Sequence, residues 1–119
     1  IRNFARFVTD EDLKKMFLAG EYLLFVAEND NGLVGLISLR SGNHISLLFV
    51  DERYRRQGYG RKLILEMERQ AKEQGVNTIR LDTFNWQGTE FYKALGYKAV
   101  GNYVNQEDDY EETFFVKRI

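Results

Sequence analysis

The stretch Arg55-Arg56-Gln57-Gly58-Tyr59-Gly60-Arg61 concentrates residue types that hold an anionic ligand. Gly58 and Gly60 lack a Cβ, so backbone there can approach a ligand closely and take φ > 0 where a turn needs it. Arg53, Arg55, Arg56, Arg61 and Lys62 place five cations within ten residues. A helix opening at this point would aim its first N–H groups, and the positive end of its dipole, at the same turn. The spacing predicts a phosphate cradle. Two well-known phosphate loops are excluded by single residues. G-x-x-x-x-G-K-[ST] fails because Gly60 is followed by Arg61, Lys62 and Leu63, and G-x-G-x-x-G fails because its third glycine would fall at Leu63. The pattern that fits is R-x-x-G-x-G, on Arg55, Gly58 and Gly60, with a solvated basic turn as the bland alternative.

The flanking elements decide whether such a turn can work. Ile45 to Val50 is rich in β-branched and aromatic residues and reads as a buried strand. Leu63, Ile64, Met67 and Ala71 recur at helical spacing, with Gly75 as the stop. Upstream, Ile1, Phe4, Ala5 and Val8 suggest the tail of a helix, and Thr9 or Asp10 caps a second over 11–19. Tyr22 to Glu28 and Leu33 to Leu39 predict a hairpin around Asn29-Asp30-Asn31-Gly32, and Ser41-Gly42-Asn43 turns into the strand at 44–50. Asn77 to Phe84 is a further strand, Gly88 to Leu95 a short helix, and Tyr97 to Val104 and Thr113 to Ile119 close the chain around an acidic loop at 105–112. The helix between 45–50 and 77–84 is a crossover, so those strands are expected to be parallel, with the glycine turn at their carboxyl ends, where ligands bind. The fold class predicted is α/β with α+β character: a central mixed, mostly antiparallel sheet with one parallel strand pair, flanked by helices.

Composition narrows the function. The 119 residues, 44% hydrophobic and 14% aromatic, suit a single domain over 1–119. A net charge of −1 argues against a general nucleic-acid or membrane-surface binder, since Glu107, Asp108, Asp109, Glu111 and Glu112 offset the basic turn. The absence of cysteine removes disulfides, thiolate metal sites and a cysteine nucleophile, and no metal is expected. The apolar runs are too short to span a bilayer and no signal-peptide pattern opens the chain, so a cytoplasmic protein is the default expectation. A homodimer is compatible with all of this.

A second signature follows the strand at 77–84: Asn85-Trp86-Gln87-Gly88-Thr89-Glu90-Phe91-Tyr92-Lys93-Ala94-Leu95-Gly96-Tyr97. With R-x-x-G-x-G ahead of it, each in its expected structural context, the sequence resembles the GNAT N-acetyltransferases over roughly residues 22–119. In that family a polar residue, often Asn, follows the strand, and a short helix carries F-Y-x-x-L-G-[FY]. Asn43 to Val50 is similar to the family's central strand. The front departs from the pattern: the family's first strand has no counterpart here, which implies an N-terminally short domain, either truncated or disordered upstream or a shortened variant.

The resemblance implies acetyl-CoA as cosubstrate and an amine as acceptor. Phe49 and Val50 would offer backbone groups to the pantetheine arm, and Arg55, Arg56, Gln57, Gly58, Tyr59, Gly60 and Arg61 would hold the pyrophosphate. Asn85 would contact pantetheine, and Tyr92 would face the thioester sulfur as general acid. The acidic residues 107–112 lie where this family can border its acceptor groove. Each assignment has a plain alternative. Asn85 can cap a turn, Tyr92 can be ordinary core, Trp86 suits packing, and His44, the only histidine, suits a structural role.

Transfer to an amine requires a proton acceptor, because a lysine-like amine has a pKa of about 10.4. Glu28, Asp82 and His44 all remain open as that base. Without a cysteine or serine-triad pattern, direct attack in a ternary complex is simpler than an acyl-enzyme. Three readings remain: an active acetyl-CoA-dependent N-acetyltransferase, a catalytically silent CoA-binding regulatory module, and a nucleic-acid-binding domain. The third is disfavoured by the net charge and the lack of an aromatic-basic stripe.

Overall fold

Val34 to Leu39 are all buried, as a strand covered on both faces must be. They form the middle of β2 (Gly32–Arg40), which pairs antiparallel with β1 (Tyr22–Asn29) on one side and β3 (His44–Val50) on the other. The computed structural model describes residues 22–40, 42–84 and 88–119, in two compact units that divide between Val76 and Asn77. The sequence-predicted helices at 1–8 and 11–19, the missing first strand, Ser41, Asn85 and Trp86 lie outside the described residues.

In the first unit, the β1–β2 connection is the expected tight turn. Asn29 Oδ1 accepts from the Asn31 N–H at 2.8 Å, and Gly32 takes φ 110°. The one polar side chain inside the β2 run, Ser38, is satisfied by the Ser46 hydroxyl at 2.7 Å, so its burial does not strand a hydroxyl. Helix α1 (Tyr59–Glu73) lays Leu63, Ile64, Met67 and Ala71, the residues at helical spacing in the sequence, against this three-stranded sheet. It ends in a Schellman motif. Gly75 at φ 86° lets its own N–H reach the Lys72 carbonyl and the Val76 N–H reach that of Ala71, both at 3.0 Å.

In the second unit, β6 (Tyr110–Arg118) is the middle strand, antiparallel to β4 (Thr78–Phe84) and to β5 (Lys98–Asn105). Ile79, Leu81 and Thr83 of β4 point inward with Phe115 of β6, and α2 (Thr89–Ala94) packs on β5. Strand β6 begins three residues before the sequence-predicted Thr113. Glu111 and Glu112 pair with Val104 and Tyr103, so they belong to the sheet. The acidic loop shrinks to a turn over 106–109, held by Asn105 Oδ1, which accepts from the N–H groups of Glu107 (3.0 Å) and Asp108 (2.9 Å). Charged residues carry no apolar alternation, so only the pairing with β5 reveals them as strand.

Candidate functional site

The basic turn is built by its backbone. After Val50 the chain makes a 3-10 turn over Glu52–Tyr54 and then places two residues in the left-handed region, Arg56 (φ 63°) and Gly58 (φ 85°). For Arg56 that conformation costs on the order of 1 kcal/mol, a strain that glycine avoids at position 58. Alternation of this kind turns successive N–H groups toward one side and forms an anion-binding concavity. The first intrahelical bond of α1 runs from the Lys62 N–H to the Gly58 carbonyl at 3.0 Å. The amides of Tyr59, Gly60 and Arg61 precede it, so α1 itself supplies them no carbonyl. No side chain caps this end of the helix, and a Cβ built on Gly58 would meet nothing within 4 Å. Space, free amides and the helix dipole therefore coincide, which fits an anionic ligand such as a pyrophosphate.

The cations around the turn are not equivalent. Asp51 grips Arg53 through Nε at 3.1 Å and Nη2 at 3.2 Å, and accepts from the Arg53 N–H at 3.0 Å. These bonds hold the Asp51 carboxyl below its usual range, and they leave Arg53 largely neutralised. Arg55 donates from Nε to the Val50 carbonyl at 3.1 Å, so it braces the end of β3. Lys62 lies over the Tyr59 ring at 5.4 Å. Phe49 and Val50 sit beside β2 in the register Leu36↔Phe49 and Gly35↔Val50.

Gly35 is a site-positioning residue that the sequence reading passed over. A Cβ there would stand 2.5 Å from the Phe49 carbonyl oxygen and 3.2 Å from Val50 Cα. An isolated glycine inside an apolar strand was the available signal, because it marks close backbone approach. Asp51 was missed as well, although Asp-x-Arg ahead of a glycine turn hints at a local clamp.

Tyr92 lies in the second unit on α2, its ring edge-on to Phe91 (5.2 Å) and Tyr97 (5.9 Å) and 6.2 Å from Phe115. Burial pushes its pKa up to about 12, so the phenol keeps its proton at neutral pH. Of the three open bases, His44 stands at the start of β3, six residues from Val50 and so about 20 Å from the turn along the strand. Its Nδ1 is 3.2 Å from the Arg40 guanidinium. Glu28 is exposed at the end of β1, next to Ala27, which pairs with Gly35. Asp82 hydrogen-bonds the Glu112 side chain. That bond, with burial and the neighbouring charge, raises Glu112 above the ordinary carboxylate range. Asn85 lies outside the described residues. Among the described residues no group of three or more His, Asp or Glu could hold a metal ion, and no helix is long and apolar enough to cross a membrane.

With this geometry in place, the chain can be set beside known proteins. The family model of the acetyltransferase (GNAT) domain matches residues 1–109. Peptidyl-lysine N-acetyltransferase YjaB of Escherichia coli (strain K12) is 36% identical over 91 residues, 76% of this chain and 59% of that protein. The chain spans about half the length of the curated relatives it matches. A crystal structure of an acetyltransferase from Bacillus cereus ATCC 14579 shares 32% identity, with a TM-score of 0.74 over 92% of this chain and 90% of that one. Aminoglycoside 6'-N-acetyltransferase complexed with coenzyme A, at 23% identity, shares the fold: TM-score 0.75 over 91% of this chain and 78% of that one. The fold class is the expected one, a mixed α/β fold with a mostly antiparallel six-stranded sheet and one parallel pair. Match, relatives and fold agree, and the chain belongs to the GNAT acetyltransferase family.

Proposed function

We propose that the protein is an acetyl-CoA-dependent N-acetyltransferase acting on a primary amine by direct attack in a ternary complex. The observation that carries this reading is the turn at 56–61. There, two left-handed residues and the uncapped start of α1 direct amides toward one open space. The match across residues 1–109 runs through the boundary between the two units, which supports treating them as one acetyltransferase domain. A cytoplasmic location goes with this reading.

Acetyl-CoA, when bound, supplies an activated thioester: the amine nitrogen forms the C–N bond as the C–S bond breaks. The chain's residues divide the remaining work. The amides from Gln57 to Arg61 hold the pyrophosphate, with Arg56 and Arg61 adding charge-assisted bonds. The backbone of Phe49 and Val50 receives the pantetheine arm, Arg55 fixing the Val50 carbonyl. Asn85 contacts the same arm. Tyr92, neutral at working pH, donates its proton to the departing sulfur. The amine gives up a proton to a carboxylate, directly or through water, Glu28 and Asp82 both being carboxylates available for this.

Calorimetry with acetyl-CoA, using ATP and NAD as controls, tests the reading, together with an assay of thiol release in the presence of amines. Selective acetyl-CoA binding with amine-dependent thiol release is expected. Equal binding of ATP or NAD, or no binding, would overturn it.

A further inference from the structure

Strand β5 is the last strand on its side of the sheet: β6 pairs with one edge of it, and among the described residues no strand lies along the other. Such an edge leaves N–H and C=O groups ready to pair with another chain, and proteins usually blunt it with charge, proline or a bulge. Residues 99–105 contain no charge and no proline. A bulge is present, but it falls at Val100, between the pairs made by Ala99 and Gly101. The stretch 101–105 therefore stays regular, in unbroken register with 114–110. Its apolar surface is open: Tyr103 is 52% exposed, Val104 54%, and Phe114, which stands opposite the bare Gly101, 41%. Residues directly opposite in antiparallel ladders share a face. Buried Phe115 marks the inner face, so Asn102 and Val104 lie on that face, and Gly101, Tyr103 and Asn105 on the outer one with Phe114, Glu112 and Tyr110. There Phe84 and Tyr110 meet edge-on at 5.6 Å and Tyr103 lies 6.3 Å from Tyr110, so a run of rings reaches the edge. The two ends of β5 differ in charge. Lys98 opens the strand in the row of Arg80 and Val116, and the turn beyond Asn105 holds Glu107, Asp108 and Asp109.

We propose that this edge pairs with the same edge of a second copy of the chain, antiparallel about a two-fold axis, so that one sheet runs through both copies. Charge sets the direction. Antiparallel pairing carries each Lys98 toward the acidic turn of the other copy, whereas pairing in the same direction would bring lysine to lysine and turn to turn. The bulge sets the register. A two-fold axis normal to the sheet keeps each face on its own side, so only residues of one face can stand opposite each other. Within the regular stretch these are an even number of positions apart, and the axis must pass through a residue. Placing it at Tyr103 uses all of 101–105: Gly101 pairs with Asn105, Asn102 with Val104, and Tyr103 with itself. The two exposed Tyr103 rings then meet on the outer face, and Val104 gains cover on the inner one. The proposal is independent of the acetyltransferase reading.

Analytical ultracentrifugation of the full chain, at concentrations of about 1–100 μM, is expected to show a monomer–dimer equilibrium. Tyr103→Lys, at an exposed position, sets two like charges opposite each other on the axis. It should raise the dimer dissociation constant about tenfold or more, with circular dichroism unchanged. Lys98→Glu should weaken the dimer as well, and Lys98→Glu/Asp108→Lys should recover part of the loss. Register is read with Tyr103→Cys, since the chain has no cysteine of its own and directly opposed Cβ atoms stand about 4.5–5.5 Å apart. Mild oxidation should link this variant into a covalent dimer, whereas Lys72→Cys, exposed on α1, should stay unlinked. A native chain that remains monomeric, a folded Tyr103→Lys that dimerises as tightly as the native chain, assembly beyond dimers, or equal cross-linking of the two cysteine variants would each overturn the proposal.

Discussion

The turn at 51–61 and the sheet face around Tyr103 are both open surfaces, and they are made from different parts of the polypeptide. The turn offers an anion main-chain amides set by the dihedrals of Arg56 and Gly58 and by the start of α1. Several of its cations are occupied with structure: Arg53 is held by Asp51, and Arg55 by the Val50 carbonyl. The face, in contrast, is built from side chains on neighbouring strands, where rings and carboxyls meet in pairs through register. A backbone-built site should therefore break when its shape is changed and tolerate loss of single charges, whereas a side-chain-built site should do the reverse.

The largest effect is expected from Gly60→Glu. A carboxylate projecting from the first turn of α1 opposes both the dipole and the pyrophosphate, and acetyl-CoA affinity should fall about a hundredfold or more. Circular dichroism should show the fold retained, and unchanged calorimetric affinity in that folded variant would remove the backbone account of the turn.

Next comes Tyr92→Phe, which deletes one hydroxyl and keeps the ring packed against Tyr97 and Phe115. kcat should drop about a hundredfold with acetyl-CoA affinity unchanged. The same phenol predicts an alkaline signature. Its folded pKa, raised to about 12 by burial, exceeds the unfolded value of about 10, so the folded state keeps the proton longer. The stabilisation is complete below pH about 10 and is lost as pH rises from there through about 12. Thermal melts over that window should decline less steeply in Tyr92→Phe than in the native chain. Unchanged turnover in Tyr92→Phe would make the residue purely structural.

Gly35→Ala should act through shape alone. The added methyl meets the Phe49 carbonyl oxygen at 2.5 Å, an overpacking that costs about 1–3 kcal/mol. Tm should fall by several degrees, and acetyl-CoA affinity should weaken about tenfold as the end of β3 shifts. An unchanged Tm would show that the strands yield more easily than their register suggests.

Arg53→Ala should do least. Asp51 already neutralises this guanidinium, and calorimetric affinity for acetyl-CoA should stay within about twofold. A tenfold loss would show that side-chain charge matters at this turn as it is expected to at the β5 edge.

Most elements were legible in the sequence because their signals are local. The hairpin at 22–40 follows from Asn29 to Gly32, and α1 from Leu63, Ile64, Met67 and Ala71 at helical spacing with Gly75 beyond the end. The turn was legible because glycines beside a strand and a helix constrain the backbone whatever surrounds them. Three things depended on pairing between distant segments. The first is the start of β6 at Tyr110, where charged residues hide the strand until β5 aligns with it. The second is the need for glycine at 35, which exists only because β3 lies against β2. The third is the meeting of Asp82 with Glu112 beside Phe84, Tyr103 and Tyr110, residues from three strands brought to one face by register. Sequence spacing determines which backbone conformations are open to a segment, but register between strands decides which side chains meet, and register is a property of the assembled sheet.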